Sequence, residues 1–138
     1  MNESAILSLI SRLRRQANRF IENELRERQI EGIAPSHGDI LVQLYQQPSV
    51  TMQELSKLID RDKSTVTVLV EKLVKHGYVC KKKDAEDGRI YRLSVTAKGR
   101  TLQPAFKEIS ERLIATVYRD FTAVEKKQLC SLLRKISM

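Results

Sequence analysis

A chain of 138 residues is long enough to bury a hydrophobic core and short enough to do so as one domain. Its 41% apolar content excludes wholesale disorder, and five glycines with three prolines leave little room for long irregular loops, so a helical protein is expected. The net charge of +8 is unevenly held: residues 61–100 carry 11 basic and five acidic side chains, and the rest of the chain a near balance of 14 and 12. Basic excess gathered into one stretch is the electrostatic footprint of a polyanion binder.

From the N-terminus, Ile6, Leu9, Ile10, Leu13, Ala17, Phe20, Ile21 and Leu25 recur every three or four residues. That spacing predicts an amphipathic helix from about Ser4 to Gln29, with Arg12, Arg15, Arg19, Glu22 and Arg26 on its other face. Gly32 and Pro35 end it. A stripe this long needs a large apolar partner, which in a small protein is often a second subunit. Ser36, with Asp39 as its acidic partner, is expected to cap a second helix that Pro48 stops after Gln47. Thr51 and Glu54, in capping-box spacing, open a short third helix through Leu55, Leu58 and Ile59. Asp62 then caps a fourth, running to Lys75, with Gly77 as its stop. Two short helices about three residues apart have the helix-turn-helix spacing.

After Gly77 the period changes from 3.6 to 2. "YVCKK" and "IYRLSV" read as paired strands, with Tyr91, Leu93 and Val95 on one face and Ile90, Arg92 and Ser94 on the other. Asp87-Gly88 between them is a hairpin signal, with Gly88 expected to let the backbone turn sharply. Thr96 is expected to cap a long helix reaching about Asp120, which Pro104 bends or divides. Thr122 and Glu125 form another capping box, opening a last helix expected to bury Leu129, Leu132, Leu133 and Ile136. The expected fold is mainly α with a small β-hairpin wing: about six helices, the long terminal ones free to form a dimerisation region.

On the fourth helix, Val66, Leu69, Val70 and Leu73 fall on a core side, with Ser64, Thr65, Val68, Glu71, Lys72 and Lys75 opposite and Thr67 at the edge. Short hydroxyls at the N-terminal end can contact base edges or phosphates, and lysines neutralise phosphates. Val68, apolar and outward, suits a thymine methyl. The plainer reading is a solvated face in which Glu71 and Lys75 form an i,i+4 pair. The hairpin that follows gives the winged-helix order, and a wing tip can place an arginine in the minor groove. Arg89 is the candidate, with Asp87 able to hold its guanidinium, and Lys81, Lys82, Lys83 and Arg92 would serve nearby phosphates. A solvated turn, in which Asp87 and Arg89 pair only with each other, is the alternative.

No phosphate loop, Gly-x-Gly-x-x-Gly run or cluster of metal-ligand types occurs, and His37 and His76 lie apart. Neither an enzyme nor a cofactor or metal site is expected. Cys80 and Cys130 lack Cys-x-x-Cys spacing, so a disulfide framework is not expected either. No apolar run approaches ~20 residues, and "AILSLI" lacks a basic leader, so no membrane association and a cytoplasmic location are expected. A winged helix that binds another protein instead of DNA is the second reading, against which the concentrated charge argues.

The segment "LSKLIDRDKSTVTVLVEKLVKHGYV" followed by "DAEDGRIYRLSVTAKGR" resembles the MarR (multiple antibiotic resistance regulator) family of bacterial transcription factors. The likeness lies in the recognition helix with its Leu-Val-x-x-Leu core face, the glycine before the wing, the Asp-x-Arg tip and the Thr-x-x-Gly after it, and it extends over nearly the whole chain. It implies one domain, with a DNA-binding lobe at 36–99 (helix-turn-helix about 51–75, wing about 78–95) and helical dimerisation segments at 1–35 and 100–138. It also implies a homodimer bound to a palindromic double-stranded operator, usually a repressor released by a small ligand or by oxidation. By position, Lys63, Ser64, Thr65 and Thr67 would read or clamp the major groove, and Arg89 the minor groove with Asp87 orienting it. Val68, Lys72, Lys82 and Lys83 complete the expected DNA face. Val68 stands where many members have arginine, and Gly88 where a second wing arginine is common. Arg12, Arg15 and His37 are the candidates for an effector site. Peroxide-sensing members carry a cysteine in the first helix, which this chain lacks, and Cys80 is expected as a small buried residue.

Overall fold

The computed structural model describes residues 2–138. Helix α1 (Ala5–Glu27) forms as expected, but only its C-terminal part enters the core. Leu25 is buried and Phe20 and Ile21 pack against the core cluster, whereas Ile6, Leu9, Ile10 and Leu13 face outward. The buried Glu24 fastens α1 to a later helix through Arg112 Nη1, at 3.0 Å, and pairs within its own helix with Arg28.

Helix α2 (Pro35–Gln46) starts two residues earlier than expected, with Ala34 and not Ser36 at the cap position. Proline at a first helical position lacks only an N–H that would go unused, and its φ is already helical. Ser36 is therefore inside the helix and caps nothing. The vacant role falls to His37, whose Nδ1 accepts the Ala34 N–H at 2.9 Å. Asp39 is likewise no cap partner; it faces Arg14 of α1 at 3.8 Å.

A two-residue strand, β1 (Val50–Thr51), was not foreseen. It pairs antiparallel with the returning wing strand, Val50 opposite Leu93 and Thr51 opposite Arg92, and makes the hairpin a three-stranded sheet in the order β1-β3-β2. Thr51 then caps α3 (Met52–Ile59), its hydroxyl accepting the Glu54 N–H at 3.1 Å. Asp62 caps α4 (Lys63–Lys75) by accepting the Thr65 N–H at 2.9 Å. Gly77 stops α4 at φ +80°, with its own N–H on the Val74 carbonyl and that of Tyr78 on Leu73, the paired bonds of a Schellman ending.

Strands β2 (Val79–Lys83) and β3 (Tyr91–Val95) pair with Val79 opposite Val95 and Lys81 opposite Leu93. The long helix expected from Thr96 is divided into α5 (Ala97–Arg100) and α6 (Gln103–Val117), with Pro104 in the first turn of α6, so the proline marks a boundary. Helix α6 ends at Val117, three residues short of the expected Asp120. Helix α7 (Ala123–Arg134) opens on a complete capping box: Thr122 accepts the Glu125 N–H and Glu125 accepts the Thr122 N–H at 2.8 Å.

Ile40, Leu41, Leu44, Val50, Leu55, Val66, Val70, Leu73 and Leu93 are the most deeply buried side chains, and all belong to α2, α3, α4 and the sheet. The core is centred on the winged-helix lobe, and Leu25 of α1 with Phe106 and Ile109 of α6 close it from outside. The expected burial along α7 is not found: Leu132 and Leu133 are 60% and 40% exposed, Leu129 is half-buried, and Ile136 lies exposed beyond the helix end. Within the chain α7 touches Tyr118 through Lys126 and Cys130, and that contact leaves Leu132 and Leu133 uncovered.

Candidate nucleic-acid interface

Helix α4 turns Val66, Val70 and Leu73 inward with no measurable exposure, and Leu69 packs against them. The same periodicity places Lys63, Ser64, Val68 and Lys72 outward, with Thr65 and Thr67 half-buried at the edges. Val68 is 66% exposed, a β-branched apolar side chain in open solvent. Thr67 donates its hydroxyl to the Lys63 carbonyl at 2.8 Å, which fixes its rotamer and leaves its oxygen lone pairs outward. The cap carboxylate of Asp62, hydrogen-bonded by the Thr65 side chain and amide, is held below the usual carboxylate range.

Between α4 and the wing lies an open groove of about 560 Å³. Lys63 and Thr67 line it from α4, Lys57 from α3, and Lys81, Arg89 and Tyr91 from the hairpin. Lys81 is held there by its ammonium sitting 4.6 Å from the centre of the Tyr91 ring. Glu54 is the acid in the wall. The groove thus gathers Lys63, Thr67, Lys81 and Arg89 of the expected residues; Ser64, Thr65, Val68, Lys72, Lys82, Lys83 and Asp87 lie outside its walls. Lys82 is directly opposite Arg92 on the sheet face that turns away from the Lys81–Leu93 side. Lys57 escaped the sequence reading because α3 was read only for its capping box and its apolar residues. Its place in the groove depends on how the hairpin folds back, which no local spacing records.

The tip of the wing is closed by hydrogen bonds. The Asp84 N–H donates to the Ile90 carbonyl at 2.8 Å and the Ile90 N–H to Asp87 at 3.0 Å. Arg89 donates from Nε to Asp87 Oδ1 at 3.1 Å and from Nη2 to Oδ2 at 3.3 Å, so the guanidinium is gripped at both oxygens while its side chain remains 90% exposed. These bonds from Arg89 draw the Asp87 pKa below its ordinary value. Gly88 does not have the expected role: its φ is not in the left-handed region, and an added Cβ would meet nothing within 4 Å. The turn is set by Asp84 and Asp87.

Arg12, Arg15 and His37 are not brought together. Arg12 and Arg15 project from the exposed half of α1, and His37 is buried and occupied as the cap of α2. Burial, then the positive charges of Lys72 and His76, push the His37 pKa down. Cys80 and Cys130 are free and half-buried, and Cys130 lies 3.3 Å from the Tyr118 hydroxyl. Among the described residues no group of acids, histidines and cysteines could hold a metal, and no helix is long and apolar enough to cross a membrane.

The model of the MarR family matches residues 33–91, which run from two residues before α2 to the first residue of β3. A MarR protein from Peptoclostridium difficile DA00132 is 30% identical and superposes with a TM-score of 0.88, covering 98% of this chain and 86% of that one. A mutant MarR from E. coli, solved in complex with operator DNA, is 20% identical with a TM-score of 0.84 over 98% of both chains, a likeness that shows the shared fold. The HTH-type transcriptional regulator YybA of Bacillus subtilis is 27% identical over 96 residues; the match covers 70% of this chain and 64% of that relative. The chain thus spans just under two thirds of that relative's length. The fold agrees with that of the family over nearly the whole chain, and the family's members are transcriptional regulators and not enzymes. The chain belongs to the MarR family of winged helix-turn-helix transcriptional regulators.

Proposed function

We propose that the chain binds double-stranded DNA sequence-specifically as a homodimer, on a palindromic operator, and acts as a repressor. Residues 36–99 form the DNA-binding lobe, and residues 1–35 and 100–138 form the dimerisation region. The observation that carries this reading is the groove between α4 and the wing, where Lys57, Lys63, Lys81 and Arg89 converge beside the exposed hydroxyl end of α4. Lys63, Ser64, Thr65, Thr67 and Val68 would meet the major groove, with Val68 against a thymine methyl. Lys72, Lys82 and Lys83 would lie along phosphates, and Arg89, aimed by Asp87, would enter the minor groove. The operator complex of the E. coli relative supports DNA as the partner of this shape.

A small effector would act between the dimerisation helices and the lobe. In the single chain the space there is an open cleft of about 490 Å³, lined by Arg14 of α1, Asp39 of α2, Arg61 and Leu58. Burial raises the Asp39 pKa, against Arg14 and Arg61, which lower it. Release of the bound complex by a titrated small-molecule carboxylate, which Arg14 and Arg61 could pair with, would support this site, and Arg14→Ala should then blunt the response.

Selection of bound sequences from random duplex DNA tests the main reading. A palindromic consensus is expected, with affinity falling by a slope of about −0.9 in log–log salt plots for each phosphate neutralised. Arg89→Ala should weaken operator binding by about 1–3 kcal/mol without changing the fold. A flat selection with salt-independent binding to another protein would favour the protein-interaction reading.

A further inference from the structure

By sequence Arg92 belongs with the phosphate-facing cations of the wing, but its guanidinium is already engaged. It sits on the central strand of the sheet, opposite Lys82 of β2 and Thr51 of β1, and its Nε donates to Asp84 Oδ1 at 2.6 Å. The other oxygen of Asp84 accepts the N–H groups of Glu86, at 3.1 Å, and Asp87, at 3.0 Å. One carboxylate therefore joins the centre of the sheet to the leading half of the tip. The Asp87 whose amide it holds is the residue that grips Arg89 at both carboxylate oxygens. The Asp84 side chain is only 17% exposed, against 90% for Arg89, so the support is shielded and the arginine it supports is free to reach outward.

We infer that Asp84 and Arg92 are a positioning pair for the wing tip, which acts through Asp87 to set where Arg89 meets DNA, and that Arg92 is not a phosphate contact. The inference rests on the DNA reading proposed above. Charge alone argues the opposite way. An acid in a loop that faces a polyanion weakens binding, so removing Asp84 should tighten the complex if the side chain has no positional role. Glu54 of α3 and Glu86 of the tip add to Asp84 in reinforcing the cationic form of Arg92, and Lys82 stands opposite it across the sheet. Bonds to an ionised group are shorter and stronger than neutral ones, which suits a carboxylate that collects three donors in a loop without helix or strand.

The test uses the full chain and a palindromic duplex obtained by selection. Asp84→Ala and Arg92→Ala should each weaken binding by about tenfold, within the range for losing an arginine base contact. Neither should add to the loss caused by Arg89→Ala when the substitutions are combined. The salt slope of Arg92→Ala should equal that of the wild type. In the DNA-free protein, the Asp87 amide should exchange with solvent faster in Asp84→Ala, while the core amides of α4 keep their protection, so a folding failure is distinguished from a loosened tip. Unchanged or tighter binding by Asp84→Ala overturns the proposal. So does a salt slope reduced by about 0.9 in Arg92→Ala, or losses that simply add to that of Arg89→Ala. A wild type that selects no duplex removes the DNA reading and this pair's role together, whereas a binding wild type with unaffected variants removes the pair alone.

Discussion

Two glycines show how differently the same residue type can matter. A Cβ on Gly99 would lie 2.3 Å from the Tyr78 carbonyl oxygen and 2.6 Å from Val95 Cγ2, so the backbone of α5 approaches the residue before β2 and the end of β3 as only a glycine allows. Gly99→Ala should destabilise the lobe by about 1–3 kcal/mol, the range for overpacking a filled site. Gly88→Ala meets open space at an ordinary φ and should leave stability level or raise it by about 0.4–1 kcal/mol. Urea titrations of the two variants side by side check the contrast, and equal midpoints would refute it. His37 gives a prediction of another kind. Burial, with Lys72 and His76 adding to it, lowers its folded pKa below the ordinary 6.5, so the neutral ring is the form that accepts the Ala34 N–H. The unfolded chain takes up the proton first as pH falls. This contribution is therefore present above about pH 6.5 and is lost as pH drops through the lower folded value. The urea midpoint should fall between pH 7 and pH 5. His37→Gln, which keeps an acceptor suited to the third helical position without a titrating ring, should flatten that fall. A wild type with no such fall, or a variant that falls as steeply, would count against it.

At the scale of elements, the joint that carries the wing is one hydroxyl wide. Thr96 Oγ1 accepts the Gly99 N–H at 3.0 Å and donates to the Gly77 carbonyl at 2.6 Å, which ties the end of α4 to the start of α5 at the base of the hairpin. Lys98 reinforces it by donating to the His76 carbonyl at 2.8 Å. Thr96→Val leaves the buried Gly99 N–H and the half-buried Gly77 carbonyl without this partner and should cost about 1–3 kcal/mol, whereas Thr96→Ser should cost far less. Thermal denaturation of both variants measures the difference. Thr96 was legible as a cap in the sequence, as were Thr51, Asp62 and Thr122, because a cap is written within four residues. The double use of its hydroxyl was not, since Gly77 lies nineteen positions away. The same division runs through the rest of the molecule. The Asp87–Arg89 grip spans two residues and was readable, while the Asp84–Arg92 pair exists only once β2 and β3 are in register. Strand β1 has two residues and shows no period, and Ser36 misled because a proline at the first helical position outcompeted a local cap. Helix α4 was read nearly in full, since its buried and exposed faces are fixed by one 3.6-residue period.

The apolar stripes at the two ends of the chain were equally plain in the sequence, yet the folded single chain leaves them largely uncovered. Leu7 and Leu9 on α1, Ile114 on α6, and Val124, Leu132 and Leu133 on or beside α7 are all large, apolar and exposed, while every fully buried large side chain lies in the lobe. Exposed apolar side chains scattered singly are ordinary, but a run of them on helices that add little to the chain's own core points to an interface. Burying one leucine contributes about 1.5–3 kcal/mol, so a few such contacts repeated by two-fold symmetry would suffice for a stable pair. The prediction is a dimer at micromolar concentration in sedimentation equilibrium. Replacing Leu132 and Leu133 together by glutamate should halve the mass while the far-ultraviolet spectrum stays helical, because neither residue supports the lobe. The same variant should bind a single half-site about as the wild-type lobe does but lose its preference for the full palindrome, whose half-sites lie about one helical turn, roughly 34–36 Å, apart. A wild type that sediments as a monomer would sink the dimer, and a doubly substituted chain that still pairs would move the interface away from α7.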